Sequence, residues 1–222
     1  MASGLFRFTL DAPSILGALM RHLFLASASP RRADLLTQVG ADFTVLPSPN
    51  IDERVRPNET AHDYVCRLAV EKARAGWRAL EDVDFCIGTL AVSPNNAIVL
   101  GADTCVVLGD DILGKPSDAA SAKVMLTALS GREHRVITAV SLITAEKGHT
   151  ACSDTRVVFL PLSETHIERY IATGEPFDKA GAYGIQGRGA QFVASLTGSY
   201  SGVVGLPLAE TCLLLEQAGI EL

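Results

Sequence analysis

The chain has 222 residues, 48% of them hydrophobic, which is enough for one sizeable core, and we expect one compact α/β unit. Its formal net charge of −6 argues against a nucleic-acid or membrane surface, because both need a basic excess, so neither is expected as a partner. No apolar run approaches the roughly 20 residues of a membrane helix, since Asp11, Arg21 and His22 interrupt the N-terminal one.

The N-terminal region divides into an extension and a strand, turn and helix. Residues 1 to 22 have mixed apolar and basic character and are interpreted as an extension, with an amphipathic helix as its candidate structure. LFLAS, from Leu23, predicts a short buried strand. Ser29 is then a candidate N-cap and Pro30 a candidate first helical residue, and Gly40 predicts the end of this helix.

The middle of the chain predicts a long helix and buried strands. DFTVLP is a strand candidate, and the polar IDERVRPNE after it predicts a loop. Thr60 and Asp63 resemble a capping box that opens a long helix. EDVDFCIGTLAVSPNNA has no sustained period and predicts a surface excursion, whereas AIVLGAD and TCVVL predict two buried strands divided by Asp103. Ser117 or Asp118 is expected to cap the next helix.

The remainder of the chain predicts a hairpin followed by helices and a strand. HRVITAVSLITAE and TACSDTRVVFLP, joined across Lys147 and Gly148, have the alternation of a long antiparallel hairpin. SETHIERYIATG predicts a helix, QFVASLTG a strand, and LPLAETCLLLEQAG a terminal helix with Pro207 in its first turn. With the earlier strand and helix units, this hairpin predicts a mixed, partly antiparallel sheet flanked by helices.

Cysteine and histidine spacing argues against disulfide bonds and a structural zinc. The cysteines lie far apart without a CxxC pair, which is typical of reduced thiols in a cytoplasmic protein. The histidines show neither HExxH nor a Cys/His ligand spacing. These residues are Cys66, Cys86, Cys105, Cys152 and Cys212, and His22, His62, His134, His149 and His166.

The segment LFLASASPRR has two incompatible interpretations. Its ASA run resembles the cleavage site of a secretory signal peptide, which a mature protein lacks. Alternatively, it is a strand that feeds a helix N-terminus, where free N–H groups bind phosphate beside Ser27, Ser29, Arg31 and Arg32. Paired arginines are more often surface charge, so the segment supports phosphate binding only in combination with other residues.

Asp103 interrupts an otherwise apolar stretch that extends from Ile98 to Leu108. Burying a carboxylate is costly unless it is paired or binds a metal. A helix cap or a buried ion pair is the structural interpretation. Ligand sites favour the carboxyl ends of strands in open α/β sheets, so we favour a functional role for this residue.

Further polar residues each fit an ordinary surface position when taken alone. Glu53, beside Asp52, offers oxygen ligands for Mg²⁺, and Gln186, in the glycine-dense FDKAGAYGIQGRG, offers a donor and an acceptor to a base edge. Together the cations and carboxylates suit metal-assisted attack of water on a phosphoanhydride. The absence of GxSxG and of GxxxxGKS/T argues against a Ser-His-Asp hydrolase and a P-loop protein. The set is Ser27, Arg31, Arg32, Glu53, Lys72, Asp103, Lys115, Lys179 and Gln186.

Several segments taken together resemble the Maf family of nucleoside triphosphate pyrophosphatases. In chain order they are LASASPRRADLL, IDE, RLAVEKA, GADT, GKP, FDKAGAYGIQG, GSY and VVGLPL, and they extend from about Leu23 to the C-terminus. Because ASASPRR is among them, we expect it to be kept as part of the site rather than removed as a signal. We therefore divide the chain into an extension, residues 1–22, and a Maf-like nucleotide pyrophosphatase domain, residues 23–222.

The resemblance implies an elongated, mixed α/β sheet with two lobes and a cleft between them, as in Maf and ITPase-like proteins. It implies cleavage of a nucleoside triphosphate to the monophosphate and pyrophosphate with a divalent cation, Mg²⁺ first and Mn²⁺ as the alternative. It also implies a homodimer, and the expected location is the cytoplasm.

Site roles follow from positions in the matching motifs. Asp103 in GADT is the expected catalytic acid or base and, with Glu53, a metal ligand. Arg31, Thr104 and Gln186 match the dTTP/UTP branch, whereas SPW, a Gln after the Asp, and a Glu in the last motif are expected for the 7-methyl-GTP branch. The resemblance therefore predicts hydrolysis of dTTP, UTP and modified pyrimidine triphosphates. The expected phosphate-binding residues are Ser27, Arg31, Arg32, Lys72, Lys115 and Lys179.

The sequence offers less support for two other functions and for a mitochondrial location. A 7-methyl-GTP pyrophosphatase of the same family is disfavoured by the three branch residues. A nucleotide-responsive regulator of cell division would be expected to have lost a carboxylate or a key cation, and none is missing. Arg7 and Arg21 flank an amphipathic stretch, as in mitochondrial targeting segments, but Asp11 and the low arginine content argue against that location.

Overall fold

The computed structural model describes residues 21–47, 50–81, 86–87 and 90–222. The helices are α1 (Pro30–Gln38), α2 (Ala61–Glu81), α3 (Ala119–Leu129), α4 (Glu164–Ile171), α5 (Tyr200–Val204) and α6 (Leu208–Gln217). The strands are β1 (His22–Leu25), β2 (Phe43–Val45), β3 (Cys86–Ile87), β4 (Leu90–Ala91), β5 (Ala97–Leu108), β6 (Asp111–Leu113), β7 (Glu133–Ile143), β8 (Gly148–Phe159) and β9 (Val193–Thr197).

Seven strands form one mixed sheet in the order β2-β1-β5-β7-β8-β9, with β6 pairing with β5. β1 is parallel to both β2 and β5. The other pairs of this sheet, including the long β7–β8 hairpin, are antiparallel, and β3 and β4 form a separate two-stranded sheet. The predicted mixed, partly antiparallel sheet and the predicted hairpin are therefore confirmed.

Helices cover both faces of the sheet, which explains why β5 is buried along almost its whole length. On one face α2 packs against β5 and β7, through residues such as Val65 and Ala69. On the other face, α1 and α6 cover the β1 end, and α3 and α4 cover the β8 end. A strand with both faces covered is expected to be apolar throughout, as this one is apart from the GADT motif.

The sheet has a gap along one edge of β5. On this edge β1 pairs with β5 only as far as Leu100, and β6 pairs with it from Val106 onwards. None of the described strands pairs with residues 101 to 105 on this edge. The two ends of β5 therefore belong to two lobes, with a cleft between them, as the sequence predicts.

The close approach of α2 to β5 depends on Gly101. A Cβ atom at this position would lie 2.5 Å from the carbonyl oxygen of Ala69 and 2.5 Å from the amide nitrogen of Ala73. Both contacts are with the backbone of α2. A glycine is therefore required where the helix crosses the strand.

Several local predictions are confirmed and one is wrong. Asp118 caps α3 through a capping box with Ser121, and Thr60 accepts a hydrogen bond from the backbone N–H of Asp63 at the start of α2. β5 is one continuous strand through Asp103 rather than two strands, because its ladder with β7 is unbroken there. Ser29 is the N-cap of α1 but makes no side-chain capping hydrogen bond.

Some predictions concern segments outside the described residues. The predicted N-terminal extension is one of these, apart from Arg21 and His22. Parts of the predicted excursion at residues 81 to 97 are also outside, and its described parts include β3, β4 and a turn at Pro94–Asn96. Among the helices that the structure describes, none has both the length and the apolar character that crossing a bilayer requires.

The burial of His134 makes the stability of the protein depend on pH. His134 is 2% exposed, and burial lowers its pKa from 6.5 to about 4. Between these two pH values the unfolded chain binds a proton that the native state does not, so stability must fall as the pH falls. Over this range we expect the free energy of unfolding to decrease by about 3 kcal/mol, measured by urea denaturation.

The matched variants for this measurement are His134→Gln and His166→Gln. His134 Nε2 lies 2.8 Å from the Tyr183 hydroxyl, and glutamine keeps a polar group there without titrating. His166 is exposed on α4, so its replacement should leave the acid-dependent loss unchanged. An equal loss in His134→Gln and the parent protein would refute the assignment.

Candidate active site

Two neighbouring residues of β5 line the cleft, and their side chains point to opposite faces of the sheet. Asp103 faces α2, where it meets Lys72. Thr104 faces α1, and its Oγ1 atom lies 3.4 Å from Nη2 of Arg32. Because the sheet has a gap at this edge, side chains from both faces reach the same space.

Lys72 joins the two carboxylates of the cleft. Its Nζ atom donates to Asp103 Oδ1 at 2.6 Å and lies 2.8 Å from Glu53 Oε1. Burial raises the pKa of Asp103, and the nearby charges of Lys72 and Arg32 only partly oppose this effect. Asp103 therefore holds a proton more readily than an ordinary aspartate, which is the direction that strengthens a general base.

The loop that carries Glu53 is tied to α2. The Tyr64 hydroxyl donates to the carbonyl oxygen of Glu53 at 3.0 Å. Arg67 donates to both carboxylate oxygens of Glu59, at 2.5 and 2.8 Å, and to the carbonyl oxygen of Arg54 at 3.1 Å. These contacts place Glu53 beside Lys72 even though the loop has no regular secondary structure.

Burial and the nearby cations shift the pKa of Glu53 in opposite directions. Burial raises its pKa, but the hydrogen bond from Lys72 and the charges of Lys72, Lys115 and Arg32 outweigh burial and hold the pKa below its ordinary value. Glu53 is therefore ionised at neutral pH. The pKa values of the two carboxylates are therefore shifted in opposite directions, with that of Glu53 below and that of Asp103 above its ordinary value.

Arg32 organises the first turn of α1. Its side chain donates to the carbonyl oxygen of Gly205 at 2.8 Å and to Ser27 Oγ at 3.1 Å. Ser27 Oγ also accepts from the backbone N–H of Ser29 at 3.2 Å. Ser27 lies behind Arg32 and is not among the residues that line the cleft.

Arg31 connects α1 to the glycine-dense loop across the cleft. Its Nη1 atom donates to Asp178 Oδ2 at 2.8 Å. The other oxygen of Asp178 accepts from Lys179 at 2.5 Å. Burial raises the pKa of Asp178, but these two cations outweigh it and lower the pKa to about 2. The first turn of α1 and the Lys179 segment therefore form one wall.

Glu175 fixes the turn that presents Gln186. Its carboxylate accepts from the Tyr170 hydroxyl at 2.8 Å and from the backbone N–H groups of Arg188 at 2.9 Å and Gly189 at 3.1 Å. Gln186 itself is exposed at the cleft. A backbone held on both sides of an exposed amide allows that amide to contact a ligand without a rearrangement of the loop.

The lining of the assembled cleft has more cations than carboxylates, although the chain as a whole is acidic. The cleft has a volume of about 390 Å³. Of the sequence-predicted residues, all except Ser27 line it. Among the described residues, its charged lining groups are five cations and three carboxylates. They are Arg31, Arg32, Lys72, Lys115 and Lys179, with Glu53, Asp103 and Asp178.

Sequence reasoning did not find the residues that hold other parts of the site in position. Tyr64 and Glu175 hold backbone segments, and their partners lie 11 to 14 residues away, so no short motif contains both members. Asp178 had a usable signal, since it precedes Lys179 inside the glycine-dense segment. Gly205 lies in VVGLPL, but its role as the acceptor for Arg32 requires the tertiary structure.

The fold and the cleft define a class: an α/β protein that binds an anionic ligand beside a buried carboxylate. The family model described as "Maf-like protein" matches residues 22–218. The chain therefore belongs to the Maf family.

Curated relatives cover almost the whole chain. The dTTP/UTP pyrophosphatase of Alcanivorax borkumensis is 52% identical over 198 residues, which are 89% of this chain and 96% of that protein. The dTTP/UTP pyrophosphatase of Hahella chejuensis is 50% identical over 202 residues, 91% of this chain and 94% of that protein. That of Shewanella oneidensis is 51% identical over 203 residues, 90% of this chain and 99% of that protein.

Proposed function

We propose that this protein is a metal-dependent nucleoside triphosphate pyrophosphatase that hydrolyses dTTP and UTP to the monophosphate and pyrophosphate. One observation carries the proposal: Lys72 joins Asp103 and Glu53 inside a cleft that also presents Arg31, Arg32, Lys115 and Lys179. The relatives that share half of this sequence are named for the same activity.

Asp103 is the proposed base. It accepts a proton from water as the water oxygen bonds to the α-phosphorus, and the bond from that phosphorus to the oxygen bridging to the β-phosphorus breaks. The raised pKa of Asp103 supports this role, because a base works best when its pKa approaches the working pH. Arg32, Lys72 and Lys115 offset the charge that develops on the leaving pyrophosphate.

Glu53 and Asp103 are the proposed ligands of a divalent cation. Their carboxylate oxygens already converge on one positive centre, the ammonium of Lys72, and oxygen donors of this kind suit Mg²⁺ or Mn²⁺. Such a cation, when bound, neutralises phosphate oxygens and favours attack of water at phosphorus.

The base end of the site is assigned to Arg31, Thr104 and Gln186. The Gln186 amide offers a donor and an acceptor to the edge of a pyrimidine, and its turn is held by Glu175. Thr104 Oγ1 accepts a hydrogen bond from Thr138 Oγ1 at 3.0 Å, which orients the Thr104 hydroxyl. A base that leaves these polar groups unpaired is disfavoured.

Location and assembly are part of the proposal. The four cysteines whose side chains the structure describes are free thiols, which supports a cytoplasmic location. The homodimer follows from the family resemblance, and light scattering on the purified protein tests it by giving the mass in solution.

The experiment that tests the activity is a substrate panel. Purified protein is incubated with Mg²⁺ and dTTP, UTP, CTP, GTP or 7-methyl-GTP, and pyrophosphate and orthophosphate are measured separately. We expect pyrophosphate release from dTTP and UTP. Activity confined to 7-methyl-GTP, or orthophosphate as the first product, would contradict the proposal.

The metal assignment predicts a specific effect of Glu53→Gln. Replacing a residue that only hydrogen-bonds to a metal ligand lowers metal affinity by about 10-fold or more. Replacing the ligand itself should therefore raise the Mg²⁺ concentration for half-maximal activity by at least about 10-fold. The control is Asp52→Asn, because Asp52 pairs with Arg54 and does not line the cleft. If both variants need the same Mg²⁺ concentration for half-maximal activity, Glu53 is not a metal ligand.

A further inference from the structure

A second group of chemically reactive side chains lies on α2, outside the cleft. His62 and Cys66 are on this helix, and Cys152 is on β8. Each offers one atom that can bind a metal, and these atoms lie within 4.8 Å of one another. None of the three lines the cleft that contains Asp103.

The spacing of these atoms is close to that of a tetrahedral site. Cys66 Sγ lies 3.9 Å from the ring nitrogens of His62, and Cys152 Sγ lies within 4.8 Å of the ligand atoms of both residues. With Zn–S of about 2.3 Å and Zn–N of about 2.0 Å, a tetrahedral zinc holds S and N about 3.5 Å apart and two S atoms about 3.8 Å apart. Side-chain movements that shorten these separations by about 1 Å or less therefore give the tetrahedral geometry.

The fold places the three ligands without relying on a flexible loop. His62 and Cys66 are four residues apart, so they lie on the same face of α2. Cys152 is paired with Ala139 in the β7–β8 ladder. Both cysteines are half-buried at the edge of the contact between α2 and the sheet.

We propose that His62, Cys66 and Cys152 form a zinc site that links α2 to β8, which the sequence spacing argues against because Cys152 lies 86 positions after Cys66. Two thiolates and one imidazole are soft and borderline ligands, which select Zn²⁺ over the Mg²⁺ that suits the carboxylates of the cleft. Binding releases the two thiol protons, and the resulting thiolates neutralise the cation. All three residues line one surface depression, and a water molecule is the proposed fourth ligand.

The link has a consequence for the proposed active site. α2 also carries Lys72, whose ammonium contacts Asp103 and Glu53. A zinc ion that holds the first two turns of α2 against β8 stabilises the helix on which Lys72 lies. Zinc is therefore expected to raise thermal stability rather than to enter the reaction.

The test uses the full chain, stripped with a chelator and kept reduced with a phosphine. Co²⁺ is the first probe, because bonds from cobalt to thiolates give intense near-ultraviolet absorption that oxygen ligands do not. We expect this absorption to saturate at one equivalent per chain and to disappear when Zn²⁺ is added. We also expect Zn²⁺ to raise the melting temperature in a concentration-dependent manner.

Variants separate this site from the cleft. Cys66→Ser and Cys152→Ser should each abolish the absorption and weaken zinc binding at least about 100-fold, whereas Cys212→Ser, a half-buried thiol on α6, should retain both. Asp103→Asn should also retain the absorption, because its carboxylate belongs to the other site. Unchanged absorption in Cys66→Ser or Cys152→Ser would overturn the proposal.

Alkylation of the unaltered protein gives a test that does not depend on the folding of a variant. Zn²⁺ should protect Cys66 and Cys152 from a thiol reagent and leave Cys212 reactive, with the modified positions identified by mass spectrometry. Equal modification with and without Zn²⁺, or no cobalt absorption at one equivalent, would overturn the proposal even if the nucleotide assay succeeds.

Discussion

Replacing Asp103 with asparagine is expected to lower turnover of dTTP and UTP by about 10³-fold, because the base that accepts the proton of the attacking water is lost. The Asp103→Asn substitution preserves the shape of the side chain, so the loss reports on its chemistry rather than on packing. Pyrophosphate release at saturating Mg²⁺ measures the effect.

The same variant is expected to fold at least as stably as the parent. Burial raises the pKa of Asp103, so the native state favours its protonated form, and stability falls as the pH rises through that pKa. The parent therefore carries this cost at neutral pH, and a neutral asparagine removes it. Lys72 retains Glu53 as a partner in the variant.

The pH profile gives a further check on Asp103. If it is the base, kcat/KM falls as the pH falls through its pKa, and this acid limb lies above the range of an ordinary aspartate. Asp42→Asn is the control, because Asp42 is exposed before β2 and does not line the cleft. Undiminished turnover in Asp103→Asn would exclude Asp103 as the base.

Replacing Gly101 with alanine is expected to lower the free energy of unfolding by about 3 kcal/mol, the upper part of the usual range for overpacking. The added Cβ would lie 2.5 Å from backbone atoms of Ala69 and Ala73, which cannot rotate away as a side chain can. α2 must therefore move off β5. Urea and thermal denaturation measure the loss.

This change also predicts a loss of activity in molecules that remain folded. Lys72 lies between Ala69 and Ala73 along the helix, so displacement of α2 separates its ammonium from Asp103. Gly148→Ala is the matched control, because a Cβ at Gly148 makes only ordinary contacts, at 3.6 Å. Equal stability of the two alanine variants would show that α2 adapts without cost.

Local sequence patterns predicted most of the elements but not how far they extend. The hairpin of β7 and β8 and the capped helix α3 follow from alternation and capping, which involve residues close together in the chain. The division of β5 at Asp103 was wrong, because a polar residue in an apolar run resembles the end of a strand. The short β6 and α5 were not predicted at all.

The amino-acid sequence by itself determined the class of fold, the order of the main elements and most of the charged residues of the cleft, because periodicity, capping and family motifs are properties of short segments. Only the tertiary structure decided which side chains meet. The contacts of Lys72 with Asp103 and of Arg31 with Asp178 join residues 31 and 147 positions apart. Such contacts depend on the register and packing of distant elements, which no local pattern specifies.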